Sequence, residues 1–375
     1  MRPLYCIFLL LLFFSSTQAQ KPTIQGKWGV EAGYLLGKIV RHNPRLTPVP
    51  EGLSHGFEIA ALKQTNGLLP EHRKLRRPEL GLGFLFLHHP QQQSFGNVYA
   101  LYGLAHFNLV RSRWVDLLFR LGSGIALSPV RHHPVSNPEN NAIGSVLNSF
   151  NLFGLRLKMK PTPDLHISLS GLLLHYSNGN VQRPNLGINV PTAQISLQYF
   201  PGLSQMELNR SPVDKPLRPN EWSASFSIGI QEYVGMGGPK YPVYGCAITY
   251  SRYTSVINKV MGGWAMEYNM AYYSYYRFFE EASPRSPSLN AFNSSVFIGD
   301  EVLVGRVGII VQTGFYIFNP IEWKNNPLYV RLGTRIYLNP KKTRDRHSAF
   351  ILSHLKSNYF VAQFIEGGAG YSVRW

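Results

Sequence analysis

A histidine and a serine stand two positions apart in this chain, His175 and Ser177, and Asn178, Gly179 and Asn180 follow directly. In an extended strand, residues two apart project from the same face about 6.5–7 Å from each other. An imidazole can lean across that gap to a serine hydroxyl. Arg183, Pro184, Asn185, Leu186 and Gly187 then form a loop, and a second strand is read with Ala193, Ile195, Leu197 and Tyr199 on its outer face. A hairpin centred on Gln182 sets His175 opposite Asn189 and Ser177 opposite Gly187, so Asn189 joins the same face. A bulge at Pro191 would shift that register. A serine, a base and a third group that orients the base make up the general pattern of an activated nucleophile.

The element carrying this pair alternates strictly. Leu165, Ile167, Leu169, Gly171, Leu173, His175 and Ser177 share one face, and His166, Ser168, Ser170, Leu172, Leu174 and Tyr176 share the other. The same alternation runs through Trp28 to Leu36, Val115 to Leu127, Trp222 to Ile230, Val307 to Ile317 and Leu328 to Leu338. Ordinary globular strands average about 5–6 residues, whereas segments of about 9–11 with one apolar face are the signature of strands that cross a bilayer. Composition agrees. Charged residues make up 15% of the 375 and aromatics 13%, which excludes a disordered chain. A soluble β-sandwich, the competing reading, would have shorter strands and a more charged surface, nearer the usual ~25%. The fold expected is an all-β antiparallel transmembrane barrel, with His175 and Ser177 ending the lipid-facing side of their strand at headgroup level.

About sixteen strand candidates fall in two halves. The predicted organisation is a signal peptide over 1–19, a first barrel half over 20–200, a polar proline-bearing connector over 201–220 and a second half over 221–375. Arg2, the apolar run from Tyr5 to Phe14 and the small residues Thr17 and Ala19 give the signal-peptide pattern, with cleavage after Ala19. Cleavage removes Cys6 and leaves Cys246 alone, so no internal disulfide is expected. One continuous barrel of about 14–16 strands is the favoured closure, and two tandem eight-stranded barrels the alternative. The chain ends in an alternating strand, with Ala369, Tyr371, Val373 and Trp375 on one face. It resembles the terminal strand by which insertion machinery receives outer-membrane proteins. A faint echo of the His175 segment at His354, Ser357 and Asn358 suggests a repeat.

His175-Tyr176-Ser177-Asn178 and Pro184-Asn185-Leu186-Gly187 resemble the motif of the outer-membrane lipid A deacylases of the PagL type, over about residues 141–200. Residues past about Pro201 extend beyond the small members and look like acyloxyacyl hydrolases. The resemblance implies an ester hydrolase of the outer membrane of a Gram-negative bacterium. Its substrate would be lipid A, in lipopolysaccharide, lying in the outer leaflet. It implies Ser177 as nucleophile, His175 as general base, and Asn178 or Gly179 as donors to the oxyanion. Pro184, Asn185 and Gly187 support the motif. The departure is Asn189, which stands where the family has a glutamate. Asparagine can orient a histidine but cannot stabilise an imidazolium by charge. No cofactor is expected.

Other features read more plainly. His88-His89 and His132-His133 lack a third ligand at fixed spacing, so no metal is expected. His354 and Glu366 are read as polar edges of the last hairpin. The basic run from His72 to Arg77 is a solvated turn, or else a loop that holds anionic headgroups. The net charge of +17 points to an anionic glycolipid surface, and nucleic acid is excluded by the outer-membrane address. Two rival functions remain open: a noncatalytic barrel or pore that keeps the hairpin, and an outer-membrane phospholipase.

Overall fold

The computed structural model describes residues 26–213, 215–233, 235–279, 283–320, 327–338, 346–358 and 361–375. The expected signal peptide lies outside the described residues. The first eight strands are β1 (Lys27–Gly37), β2 (Ser54–Gln64), β3 (Glu79–His88), β4 (Asn97–Arg111), β5 (Val115–Leu127), β6 (Leu147–Met159), β7 (Leu165–Ser177) and β8 (Ile188–Tyr199). The second eight are β9 (Asn220–Glu232), β10 (Lys240–Ser255), β11 (Asn258–Asn269), β12 (Phe292–Val304), β13 (Val307–Phe318), β14 (Leu328–Tyr337), β15 (His347–Asn358) and β16 (Val361–Arg374). Among the described residues three short α-helices punctuate them, α1 (Pro70–Lys74), α2 (Met270–Phe278) and α3 (Pro287–Ala291), with one 3₁₀ turn at Leu203–Gln205.

All pairing is antiparallel between sequence neighbours, and the strands close as two barrels. β8 returns to β1, with Val30 opposite Tyr199 and Gly37 opposite Thr192. β16 returns to β9, with Ile365 opposite Ile230 and Arg374 opposite Glu221. This is the tandem arrangement, and the single continuous wall favoured from the sequence is not formed. The reason lies in the inward faces. In the first barrel Arg156 makes a two-pronged bond to Glu31 at 2.5 and 2.8 Å, Arg120 meets Glu58, and Lys158 with His106 meets Glu79. In the second, Lys259 bridges Glu221 and Glu301 at 2.6 and 3.1 Å, while Lys356 holds Glu267 at 2.5 Å. Each set of carboxylates finds its cations across a lumen only eight strands wide, which side chains can fill. A sixteen-stranded wall would hold the same charges apart across water. A buried carboxylate without its cation costs several kcal/mol, so the ion pairs specify closure as much as they stabilise it.

The outward faces carry Val30, Tyr34, Ile59, Leu101, Leu169, Ile195, Phe226, Ile248, Ile298 and Ile351, all exposed. A strand of 13 residues such as β7 runs about 43 Å along its axis. Tilted by about 40°, it still spans about 33 Å, more than the apolar band of about 25 Å. Trp28, Trp222 and Trp375 mark the end of the barrels where β1, β9 and the chain terminus lie, with the Tyr250 ring tilted between Trp222 and Trp375. Phe57, Phe86 and Tyr99 form a ladder toward the other end, with successive ring centroids 5.4 Å apart. Aromatic belts at two heights are how a barrel fixes its depth in lipid.

Both lumens are plugged by side chains. The cavity beside Ser227, Arg331, His354 and Glu366 has a volume of about 20 Å³, room for roughly one water. The protein reconstituted in planar bilayers is therefore expected to show no conductance steps; steady single-channel steps would revive the pore reading.

Candidate active site

β7 and β8 meet in a hairpin whose register is set by the strand pattern: His175 lies opposite Asn189 and Tyr176 opposite Ile188. On the outer face, His175 Nε2 is 3.0 Å from Ser177 Oγ and His175 Nδ1 is 2.7 Å from Asn189 Oδ1. The amide oxygen can only accept, so Nδ1 carries the proton and Nε2 keeps its lone pair for the serine O–H. The row thus stands in the order Ser177, His175, Asn189 at the rim of the first barrel.

Neighbouring loops hold the row in place. Val40 N–H donates to Asn189 O at 3.0 Å, continuing the β1–β8 ladder upward, and Gly187 N–H donates to Ala142 O at 2.9 Å. On the β6 side Ser149 Oγ donates to Ser177 O at 2.8 Å. Behind the row, Tyr176 points into the barrel and its hydroxyl meets His89 Nε2 at 2.9 Å, while His89 Nδ1 meets Ser54 Oγ at 2.7 Å. Burial pushes His89 down to about 3, so this ring is neutral and serves as a hydrogen-bonding link. None of these partners could be read from the sequence, because each arrives from a distant loop or strand. Gly187 carries two demands at once. Its φ is +78°, and an added Cβ would come within 3.0 Å of His175 Cε1 and 3.3 Å of Ser177 Cβ. Only glycine meets both.

Asn178 and Gly179 differ in what they can offer. The Asn178 backbone N–H donates to Asn185 Oδ1 at 2.8 Å, and its side-chain Nδ2 donates to Ser145 Oγ at 2.9 Å and Gln182 O at 2.8 Å. Its donors are engaged in shaping the loop. Gly179 N–H has no partner among the described residues. Asn185 acts as the brace that receives Asn178, and Pro184 follows Arg183 through a cis peptide bond.

The remaining sequence candidates lie elsewhere. α1, which carries the start of the basic run, sits between β2 and β3, at the end of the barrel opposite Ser177. There Arg73 donates to Gly67 O at 2.7 Å and Arg76 to Leu109 O at 2.5 Å. The run thus serves the end of the barrel away from Ser177, where Arg73 and Arg76 are engaged with backbone carbonyls. His88 faces Asn97 at 3.0 Å, and His133 Nδ1 accepts from the backbone N–H groups of Val135 and Ser136. His354 and Glu366 face each other at 3.3 Å inside the second barrel, where Ser227 donates to Glu366 at 2.8 Å.

Residues 55–198 match the family model described as Lipid A 3-O-deacylase (PagL), a span that contains the whole site. Residues 220–375 match the model of the acyloxyacyl hydrolase C-terminal domain. No curated protein sequence matches the chain. Among solved structures, the outer membrane enzyme PagL is similar at 14% identity, covering 44% of this chain and 97% of that one, with a TM-score of 0.29. CdiB from Acinetobacter baumannii is similar at 10% identity, covering 93% and 60%, with a TM-score of 0.19. The two models take in β2 to β8 of the first barrel and β9 to β16 of the second, and together they support membership of the PagL-type family.

Proposed function

We propose that the protein hydrolyses an ester bond of lipid A or a related glycolipid in the outer leaflet, with Ser177 as nucleophile, His175 as general base and Asn189 as orienter. The observation that carries this reading is the bridging imidazole, bonded to Ser177 on one side and Asn189 on the other, on the outward side of the hairpin at the barrel rim. Family membership supports the substrate class.

The proposed reaction runs as an acyl transfer through Ser177. Ser177 Oγ attacks the acyl carbonyl as its proton passes to His175 Nε2. The oxygen of the tetrahedral intermediate takes on negative charge, and Gly179 N–H, which makes no hydrogen bond among the described residues, is the donor proposed to receive it. As the ester C–O bond breaks, the imidazolium returns the proton to the departing sugar oxygen. Water then attacks the acyl-serine with His175 again as base, and the fatty acid leaves with Ser177 restored. Each step uses residues of this chain and water.

Insertion machinery is the partner proposed for β16, whose outward Ala369, Tyr371 and Val373 lead to Trp375. Cleavage after Ala19 is proposed to precede insertion.

The test is mass spectrometry of lipid A and phospholipids from cells with and without the protein. Lipid A lighter by one acyl chain, only in cells that express it, is the expected result. Unchanged lipid A with accumulating lysophospholipid would move the assignment to a phospholipase, and no change in either lipid would remove it.

A further inference from the structure

The loop that follows Ser177 is held from two sides, and one of them belongs to the second barrel. Glu232, buried at the end of β9, accepts Arg183 N–H through Oε2 at 2.8 Å. Its other carboxylate oxygen accepts Gly238 N–H at 2.8 Å, which ties the side chain to the loop after β9. Its own backbone N–H donates to Asn180 O at 3.1 Å. Asn180 Nδ2 in turn donates to Gln363 O on β16 at 3.1 Å. Gly179 presses on the same wall: a Cβ there would lie 3.2 Å from Leu355 Cδ1 and 3.3 Å from Ile365 Cβ.

The backbone so gripped has an uncommon shape. Gly179 and Asn180 are both left-handed, with φ of +63° and +69°. Two such residues in succession persist where surrounding contacts over-determine them. From within the first barrel, Asn178 and Asn185 fix the two ends of the loop. Between those ends Asn180 and Arg183 reach Glu232 and Gln363 of the second barrel. A carboxylate that accepts a backbone N–H makes a charge-assisted bond, roughly twice as strong as a neutral one.

We infer that the second barrel is a working part of the active site, and that Glu232 is a positioning residue that sets the loop bearing Gly179 against Ser177. This rests on the reading of Ser177 as nucleophile. A misplacement of about 1 Å far from the chemistry can cost roughly 10²-fold in rate.

The experiment uses the full-length protein reconstituted with lipid A, comparing wild type, Glu232→Ala and Glu232→Gln. It measures kcat and KM, labelling of Ser177 by a fluorophosphonate, and amide exchange over residues 178–186. Glu232→Ala is expected to lower kcat about 100-fold with KM within about threefold. It should also slow labelling and speed exchange in that segment. Glu232→Gln keeps one acceptor oxygen and the same shape, and should stay within about tenfold of wild type. Wild-type kcat in Glu232→Ala, or a rise in KM alone, overturns the proposal. If Glu232→Ala does not fold, Glu232→Asp, which withdraws the carboxylate by one methylene, decides: faster exchange over 178–186 supports the inference, and unchanged exchange overturns it. A wild-type protein that neither hydrolyses lipid A nor labels at Ser177 overturns the nucleophile assignment instead, and amide exchange still reports on Glu232.

Discussion

Ser177→Ala is expected to leave lipid A fully acylated in cells that make normal amounts of inserted protein, a loss of at least about 10³-fold in kcat. The hydroxyl removed makes one hydrogen bond, to His175, so the stability change should be near 1 kcal/mol. Such a change is small for a barrel with both lumens filled by ion pairs. Ser149, the cross-strand neighbour on β6, is already committed, donating to the Ser177 carbonyl. Mass spectrometry of lipid A, alongside heat-modifiable mobility as a check on folding, separates lost chemistry from lost protein. Equal deacylation by wild type and variant would refute the assignment of Ser177.

The second large effect is a gain. In serine proteases, replacing the triad aspartate by asparagine lowers kcat roughly 10⁴-fold, mainly by imposing the wrong tautomer. Here Asn189 already presents its oxygen to Nδ1 at 2.7 Å, so the tautomer is right and only the charge is missing. Asn189→Asp supplies that charge with almost no change of shape. A carboxylate about 4 Å from the forming imidazolium is worth about 1 kcal/mol in a water-like medium and about 4 kcal/mol near a protein surface. The expected outcome is a rise in kcat of about tenfold or more, since 1.36 kcal/mol is a factor of ten. An Asn189→Asp protein no faster than wild type would show that charge at this position does not limit the reaction.

How far the sequence could be read depended on the range of each interaction. The pairing of His175 with Asn189 was legible because a hairpin fixes register locally, and period-two alternation told inward from outward residues along each strand. Closure was not legible from alternation, because it depends on whether Val30 meets Tyr199 or a later strand. A signal was present nonetheless: Glu31, Glu58 and Glu79 face inward in the first half beside Arg120, Arg156 and Lys158, a nearly neutral set complete without the second half. The basic run could also have been placed by counting strands. It joins an even strand to an odd one, whereas the site joins odd to even, so the two must lie at opposite ends. Glu232 left no trace, since nothing local links it to a loop some fifty positions earlier.

With both lumens filled and the imidazole row on the outer wall, the proposed chemistry never leaves the plane of the leaflet. Substrate arrives by sliding sideways, and the released acyl chain departs the same way. The quantity that governs turnover is then molecules per unit area of membrane, and the volume of the surrounding medium does not enter. Diluting the membrane with inert lipid would slow such an enzyme, whereas diluting the suspension would not.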